Sequence, residues 1–425
     1  MRFLFLTQYF PPEIGASQVR IAATVRELTK LGHEVEVVTA VPNHLQGKIF
    51  PEYKGVFYKT ETWEGCKVHR VWMYPAMGAG LKRMIGYGSF VLTSLIGLLR
   101  SQRPDFIFVD SPPLFLSFPG WLASKWFGAP MIFNVADLWP DSVRELGLMK
   151  EGPLLRWAEW LERWSYRHSR YVNAVTEGIH KVLLEKKNLS PEKVLYLPNG
   201  VDTRVFRPKE PDLALARELG LEGKKVILYA GTHGYAHGIE FALQAAQRLR
   251  DPSVELVFIG DGSEKPKLVQ MAQEMNLANV RFLPPAQPDY IARLFSFSLA
   301  GLSTLRDSPL FEGTRPAKIF ATMSSGKPVL YSGKGEGARL VQQIGAGLVV
   351  PPEDVQGIAD MIERAAADPQ AAARMGQSGR HHIETHYSWG ALVGQWLRQL
   401  EGRLEAEISP APEMVSSKKS VTKLL

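Results

Sequence analysis

The chain is 425 residues long, 45% hydrophobic and 22% charged, with 50 Lys and Arg against 43 Asp and Glu. That length exceeds what one hydrophobic core serves and predicts two domains of about 200 residues each. The basic excess suits nucleotides or lipid phosphates, but it is spread along the chain with no nucleic-acid motif, so nucleic acid is not an expected partner. A single cysteine, Cys66, excludes an internal disulfide and a cysteine metal cluster and fits a reducing, cytoplasmic compartment.

The opening residues MRFLFLTQYFPP hold an apolar run of only four before Thr7, too short for a signal-peptide core, and read as a first strand. From there to about Pro198 apolar strands alternate with amphipathic helices. Strands are expected at Phe3–Thr7, Glu34–Thr39, Lys67–Trp72, Phe106–Asp110, Met131–Val135, Tyr171–Val175 and Val194–Leu197. The first helix begins near Ser17, buries Ile21, Ala22, Val25 and Leu28, and closes at Gly32. Apolar strands separated by helices predict a parallel sheet covered on both faces. Met84 to Leu99 falls short of the roughly 20 residues of a membrane span. Because its apolar residues go nearly all round and Arg and Lys flank it, Leu81 to Arg100 reads as an interfacial helix touching a membrane. In the stretch from Leu154 to Tyr171, the face Leu154, Trp157, Ala158, Leu161 and Trp164 reads as core.

Residues 199–208, NGVDTRVFRP, are aperiodic and read as a linker between an N-terminal domain, 1–198, and a C-terminal one, 209–387. In the second half, strands are expected at Val226–Ala230, Val254–Gly260, Val280–Leu283, Leu299–Ser303, Val329–Tyr331 and Gly347–Val350. A last helix within 388–408 can pack back across the gap, and 409–425 is polar and expected to be disordered. The fold class is therefore α/β, with two Rossmann-like doubly wound parallel sheets facing across a cleft, where ligands bind at the carboxyl ends of the strands.

No G-x-G-x-x-G opens a helix and no G-x-x-x-x-G-K-[ST] occurs, which argues against a nicotinamide enzyme and a P-loop NTPase. Glycine-bearing loops do occupy equivalent places in the two halves: Gly15 and Ala16 before the first helix, and Gly231, Thr232, His233 and Gly234 after the Val226 strand. Such residues let backbone N–H groups approach a diphosphate, although Gly15 and Ala16 serve equally as a helix entry turn. Asp137, following the Met131 strand, is a candidate base or orienter for an acceptor hydroxyl, or a helix N-cap. Asp261 and Gly262 form a turn or a loop beside a nucleotide. The stretch from Arg306 to Gly333 runs loop, helix, glycine turn, strand. There Thr314, Arg315 and Lys318 at a helix start make either a phosphate socket or a basic capped surface helix.

The segments PPEIGA, NVADLWPDS, LPNGVDTRVFRP, YAGTHGYAHGIE, FIGDG, VRFLP and RPAKIFATMSSGKPV together resemble the GT-B glycosyltransferases of family 4. Within that family the chain is similar to bacterial surface-polysaccharide enzymes of the L-fucosamine transferase type, over nearly its whole length. The resemblance implies a retaining, metal-independent transferase without a cofactor. It would move a sugar from a nucleotide diphosphate-sugar, UDP being the expected nucleotide, to a lipid-linked or glycan acceptor at the inner face of the cell membrane. It implies that Arg315 and Lys318 neutralise the donor diphosphate. The Gly231 to Gly234 and Gly15–Ala16 loops would approach the phosphates, and Asp261, Gly262, Leu283 and Pro284 would line the nucleotide pocket. The family's E-x7-E pair falls on Gly313 and Ala321, leaving Glu312, one residue early, as a stand-in for the first carboxylate. Many members have His where Asp137 stands. These departures keep two other readings open: a non-catalytic nucleotide-binding protein, and a UDP-sugar 2-epimerase on the same fold.

Overall fold

Runs such as Phe3–Leu6 and Val226–Tyr229 are buried residue after residue, as strands covered by helices on both faces must be. The computed structural model describes residues 1–13, 16–43, 48–76, 81–145 and 151–408. The expected tail, 409–425, lies outside them.

The first sheet holds β1 (Arg2–Leu6), β2 (Glu34–Ala40), β3 (Tyr58–Trp63), β4 (Cys66–Val71), β5 (Phe106–Ser111), β6 (Met131–Val135), β7 (Tyr171–Ala174) and β8 (Val194–Tyr196). Their order is 3-4-2-1-5-6-7-8. Its helices are α1 (Ala16–Lys30), α2 (Leu81–Leu99), α3 (Ser117–Phe127), α4 (Asp141–Glu145), α5 (Pro153–His168) and α6 (Glu177–Glu185). The second sheet holds β9 (Lys225–Ala230), β10 (Val254–Ile259), β11 (Val280–Leu283), β12 (Ser298–Thr304), β13 (Val329–Ser332) and β14 (Gly347–Val350). These run in the order 11-10-9-12-13-14, all parallel. Around it lie α7 (Leu213–Glu218), α8 (Ile239–Ala246), α9 (Lys265–Glu274), α10 (Pro288–Phe297), α11 (Ala317–Ser324), α12 (Gly335–Gln343), α13 (Val355–Ala367) and α14 (Pro369–His382). In each sheet the strand order reverses at the first strand, β1 or β9, and the crevice outside those strand ends is where such folds hold ligands.

The first sheet departs from the expected all-parallel pattern at one edge. β3 runs antiparallel to β4, with Tyr58 opposite Val71 and Trp63 opposite Cys66. Its sequence, YKTETW, is polar because it is an edge strand with one solvated face, and Glu64 and Gly65, both at positive φ, make the hairpin turn.

A final helix, α15 (Trp389–Ile408), returns to the first sheet. Leu392, Val393, Trp396, Leu397 and Leu400 join Phe3, Phe5, Phe106 and Phe108 in one core, and the Trp396 ring lies 5.9 Å from both Phe3 and Phe108. Its indole N–H donates to Asn173 Oδ1 at 3.1 Å. Asn173 in turn donates to Asn134 Oδ1, and Asn134 to Asp110 Oδ1, each at 2.7 Å. Asp110 also receives Ser17 Oγ at 2.6 Å and the Arg20 guanidinium at 3.2 Å, so the buried carboxylate that fixes the start of α1 is satisfied on every side. The two chain crossings between the sheets run side by side, joined by Val201 N–H to the Tyr387 carbonyl at 3.1 Å.

Helix α5 corrects the expected core face. Leu155, Ala158, Leu161 and Ser165 point inward, whereas Leu154, Trp157 and Trp160 are 59%, 42% and 51% exposed. The inward face even carries Glu162, satisfied by Lys187 Nζ at 2.8 Å and Tyr166 Oη at 3.0 Å, so the polar pattern hid the true stripe. Among the described residues no helix is long and apolar enough to cross a membrane.

Candidate active site

The site is built where β9, β10 and β11 end. Gly231 and Gly260 follow β9 and β10 at φ +147° and +144°. A Cβ on Gly260 would stand 1.9 Å from the Gly231 carbonyl oxygen, and one on Gly262 would stand 2.3 Å from that of His233. Only glycines let these two loops close on each other. The His233 N–H donates to the Asp261 carbonyl at 2.8 Å. Lys265 Nζ ties the ends of β10 and β11 together, donating to the carbonyls of Gly260 at 2.6 Å and Leu283 at 2.8 Å.

Lys318 is the second residue of α11. Its ammonium lies 4.6 Å from the centroid of the Tyr229 ring and 3.5 Å from His237 Nδ1, and its Cε would lie 3.1 Å from a Cβ on Gly231. Among the described residues no carboxylate stands within ion-pair distance of it. Burial pulls its pKa down to about 7. Burial, with the charge of Lys318 second, takes His237 to about 4, and burial, with Lys265 second, takes His233 to about 4. A buried amine with no carboxylate in reach, as at Lys318, marks a place arranged for an anion, and the unpaired N–H groups at the start of α11 add to it.

Lys318, Ala317 and Ala321 form one wall of a cavity of about 720 Å³, completed by Gln287, Pro288 and Ile291 around the start of α10. The facing wall comes from the first domain: Pro11, Pro12 and Glu13 after β1, and Gln18, Val19 and Arg26 on α1. Ala321 opens directly onto this space. No longer side chain fills the position where the family has its second carboxylate.

Arg315, expected beside Lys318, is not in the cavity wall. Its guanidinium is held by Glu177 of α6, by Glu336 Oε2 at 3.0 Å and by Tyr387 Oη at 2.8 Å. Burial works against its charge, but the Glu177 contact and the neighbouring phenols outweigh it and raise the pKa. Arg315 thus joins the first domain to the second. The space left by Gly313 adjoins Glu336, whose Oε1 would be 3.8 Å from a Cβ there.

The other expected residues are placed as follows. The His233 side chain is fully buried among Tyr229, Phe258 and Phe282, while Thr232 is exposed and Gly234 half-buried beside it. Asp261 is exposed and caps the Gly262 N–H at 2.9 Å. Leu283 and Pro284 close β11 just below the Lys265 tie. Glu312 is exposed, its carbonyl taking the Glu336 N–H at 2.7 Å, and the Thr314 N–H donates to Phe311. Asp137 is exposed, its Oδ2 accepting from Ser142 Oγ at 3.1 Å, and it lies outside the cavity wall. Gly15 lies outside the described residues, and Ala16 is the first residue of α1. Sequence reasoning missed Lys265, Glu177 and Glu336. Glu177 carries a local signal, since Thr176 caps the start of α6 at the end of β7 and places an acid in its first turn. Among the described residues no three potential metal ligands converge.

Comparison with known proteins agrees with this fold. Residues 15–200 match the glycosyl transferase 4-like domain and residues 214–382 the glycosyl transferases group 1. WcaI of Escherichia coli K12, assigned to colanic acid biosynthesis as a glycosyl transferase, is 29% identical over 384 residues, 87% of this chain and 93% of its own. A D-inositol 3-phosphate glycosyltransferase of Stackebrandtia nassauensis is 24% identical over 395 residues, 89% of this chain and 84% of its own. Among solved structures, sucrose-phosphate synthase of Thermosynechococcus elongatus superposes with a TM-score of 0.72 at 19% identity, covering 96% of this chain and 99% of its own. HepE of Anabaena, solved with UDP and glucose, gives 0.69 at 17% identity, covering 95% of this chain and 100% of its own.

Proposed function

The chain belongs to the GT-B glycosyltransferases of family 4, and on that premise we propose that it carries a sugar from a UDP-sugar to a lipid-linked or glycan acceptor in cell-surface polysaccharide synthesis. The observation that carries this reading is Lys318, a cation without a carboxylate partner at a helix start in the interdomain cavity. When the bond from the anomeric carbon to the diphosphate oxygen breaks, negative charge gathers on the leaving phosphate. Lys318 and the first N–H groups of α11 are fixed where they stabilise that charge without reorganising. The Gly231 and Gly260 turns bring backbone close to the same point, and Arg315 holds the Glu312–Thr314 loop against the first domain rather than contacting the donor. Asp137, outside the cavity wall, would meet the acceptor hydroxyl only where the acceptor extends beyond that cavity. The acceptor is reached at the inner face of the membrane through α2, transfer retains the anomeric configuration, and no metal or cofactor takes part. HepE binding UDP and the colanic acid role of WcaI support the donor class and the pathway class.

The test incubates purified protein with a panel of UDP-sugars and sugar acceptors carried on long-chain alkyl diphosphates. It follows label into the organic phase and reads the product's anomeric configuration, with and without EDTA. Lys318→Ala is expected to lower turnover by about 10²–10³ while leaving thermal unfolding near that of the parent. Unchanged turnover in that variant, or an epimerised donor formed without acceptor, would sink the proposal.

A further inference from the structure

On the outer face of the first domain lies a groove of about 550 Å³, within the roughly 300–1,000 Å³ typical of small-ligand sites. Its walls are Gly88 and Val91 from α2, Trp121 from α3, and Trp157, Trp160 and Trp164 from α5. Such a cluster of half-exposed tryptophans on a soluble surface marks a binding site rather than stray apolar area.

A run of side-chain contacts leads from the groove toward the loops of the cleft. Phe115, at its inner end, stacks on Trp157 at 5.6 Å and lies 6.1 Å from Tyr87 and 6.4 Å from Trp139. Trp139 belongs to the loop that carries Asp137. Tyr87 Oη accepts from Arg83 Nε at 2.6 Å, and Arg83 also bonds the Tyr9 side chain. Tyr9 sits on the β1 loop whose Pro11, Pro12 and Glu13 line the cavity. Charge follows the same line. Lys82, Arg83, Lys125, Arg156, Arg163 and Arg167 are all exposed on the three helices. The only acids there are Glu159, paired with Arg144, and Glu162, buried on Lys187. An apolar trough on helices that also carry these exposed cations fits a hydrocarbon chain that ends in an anionic head.

We propose that this groove holds the hydrocarbon chain of the acceptor, with its phosphate head at Arg83 and its sugar directed past Tyr9 into the cleft. This rests on the reading of the acceptor as lipid-linked, and it identifies where that lipid is held. Gly88 supplies the test, because a Cβ there meets nothing within 4 Å. Gly88→Leu therefore grows into the groove without a clash and replaces a helix-interior glycine, so thermal stability holds or rises.

The full chain is titrated with 12-bromododecyl phosphate below its micelle concentration while tryptophan fluorescence is followed. Since four of the ten tryptophans line the groove, quenching of the wild type should saturate at part of the total emission. Gly88→Leu should weaken binding at least tenfold and raise KM for an alkyl-linked acceptor as much, leaving donor hydrolysis and KM for a chain-free acceptor unchanged. Leu92→Ser, on the 69% exposed outer side of the same helix, should bind the probe as the wild type does. Quenching that never saturates, or that Leu92→Ser reduces as much as Gly88→Leu does, would show mere partition on a surface and overturn the proposal. So would sedimentation of a dimer that excludes the probe, since a second copy would then cover the groove. Saturable quenching that Gly88→Leu removes supports the groove even if no transfer is seen, a result that would count against the acceptor reading alone.

Discussion

Donor binding should draw a proton from solvent, and Lys318 should receive it. With its pKa near 7, the free site at pH 8 holds the ammonium in about one molecule in ten. A phosphate charge about 4 Å from Nζ attracts it by about 4 kcal/mol at an effective dielectric of 20. That is about three pKa units at 1.36 kcal/mol each, enough to return the lysine to its ordinary range. Binding of UDP-glucose, whose diphosphate diester does not titrate here, should then take up about 0.9 proton at pH 8 and about 0.1 at pH 6. Calorimetric titration in buffers of differing ionisation enthalpy reads that number directly. Lys318→Met should abolish the uptake at pH 8 and weaken binding, which separates this lysine from His237 and His233. Binding at pH 8 without proton uptake, or with uptake that survives Lys318→Met, would refute the account of the site.

The same lysine sets a stability signature. A folded-state pKa of about 7 against 10.5 means the folded chain binds fewer protons than the unfolded one between those values, so stability rises with pH across that window. Lys318→Met should therefore stabilise below pH 7 by about 2–3 kcal/mol in urea unfolding, a ceiling of about 5 reduced because water still reaches part of the side chain, and the gain should fade towards pH 10.5. Arg315→Ala strands the half-buried Glu336 and should cost about 3 kcal/mol, whereas Glu177→Gln, with its partly exposed carboxylate, should cost under about 1. Equal costs would mean that Arg315 is not anchored as described. Gly260→Ala must place its Cβ against the Gly231 carbonyl at a φ alanine rarely adopts, and should lose at least about 2 kcal/mol along with UDP affinity. An unchanged melting temperature would contradict the closed-loop geometry.

Much of the architecture was legible because buried parallel strands announce themselves as continuous apolar runs. Met131–Val135, Val280–Leu283 and Gly347–Val350 form at the expected residues. β3 was not legible, since its alternation of Tyr, Lys, Thr, Glu, Thr and Trp is that of a solvated edge and reads as loop until a partner is known. The core face of α5 was hidden by Glu162 and Ser165, polar residues whose burial depends on Lys187 from beyond the helix and on the Leu161 carbonyl one turn back. At the site, local sequence showed that Lys318 begins a helix and that glycines surround it. It could not show that Arg315, three residues earlier, is occupied by a carboxylate from the other domain. Pairing across 138 positions of chain leaves no periodic trace, and the same holds for the tryptophans that three separate helices bring to one groove.

The return of α15 to the first sheet has a consequence for the order in which the molecule is made. Phe3, Phe5, Phe106 and Phe108 are complete in the nascent chain once β8 has emerged, but the side chains that cover them, Leu392 to Leu400, come last. At about 5–20 residues per second the ribosome needs roughly 10–40 s to supply them. During that interval an aromatic face of the finished sheet stands bare while the whole second domain folds between it and its cover. Translation therefore delivers the second domain before the first is sealed, and α15 acts as the closing clasp of a sheet whose β1 was made long before it.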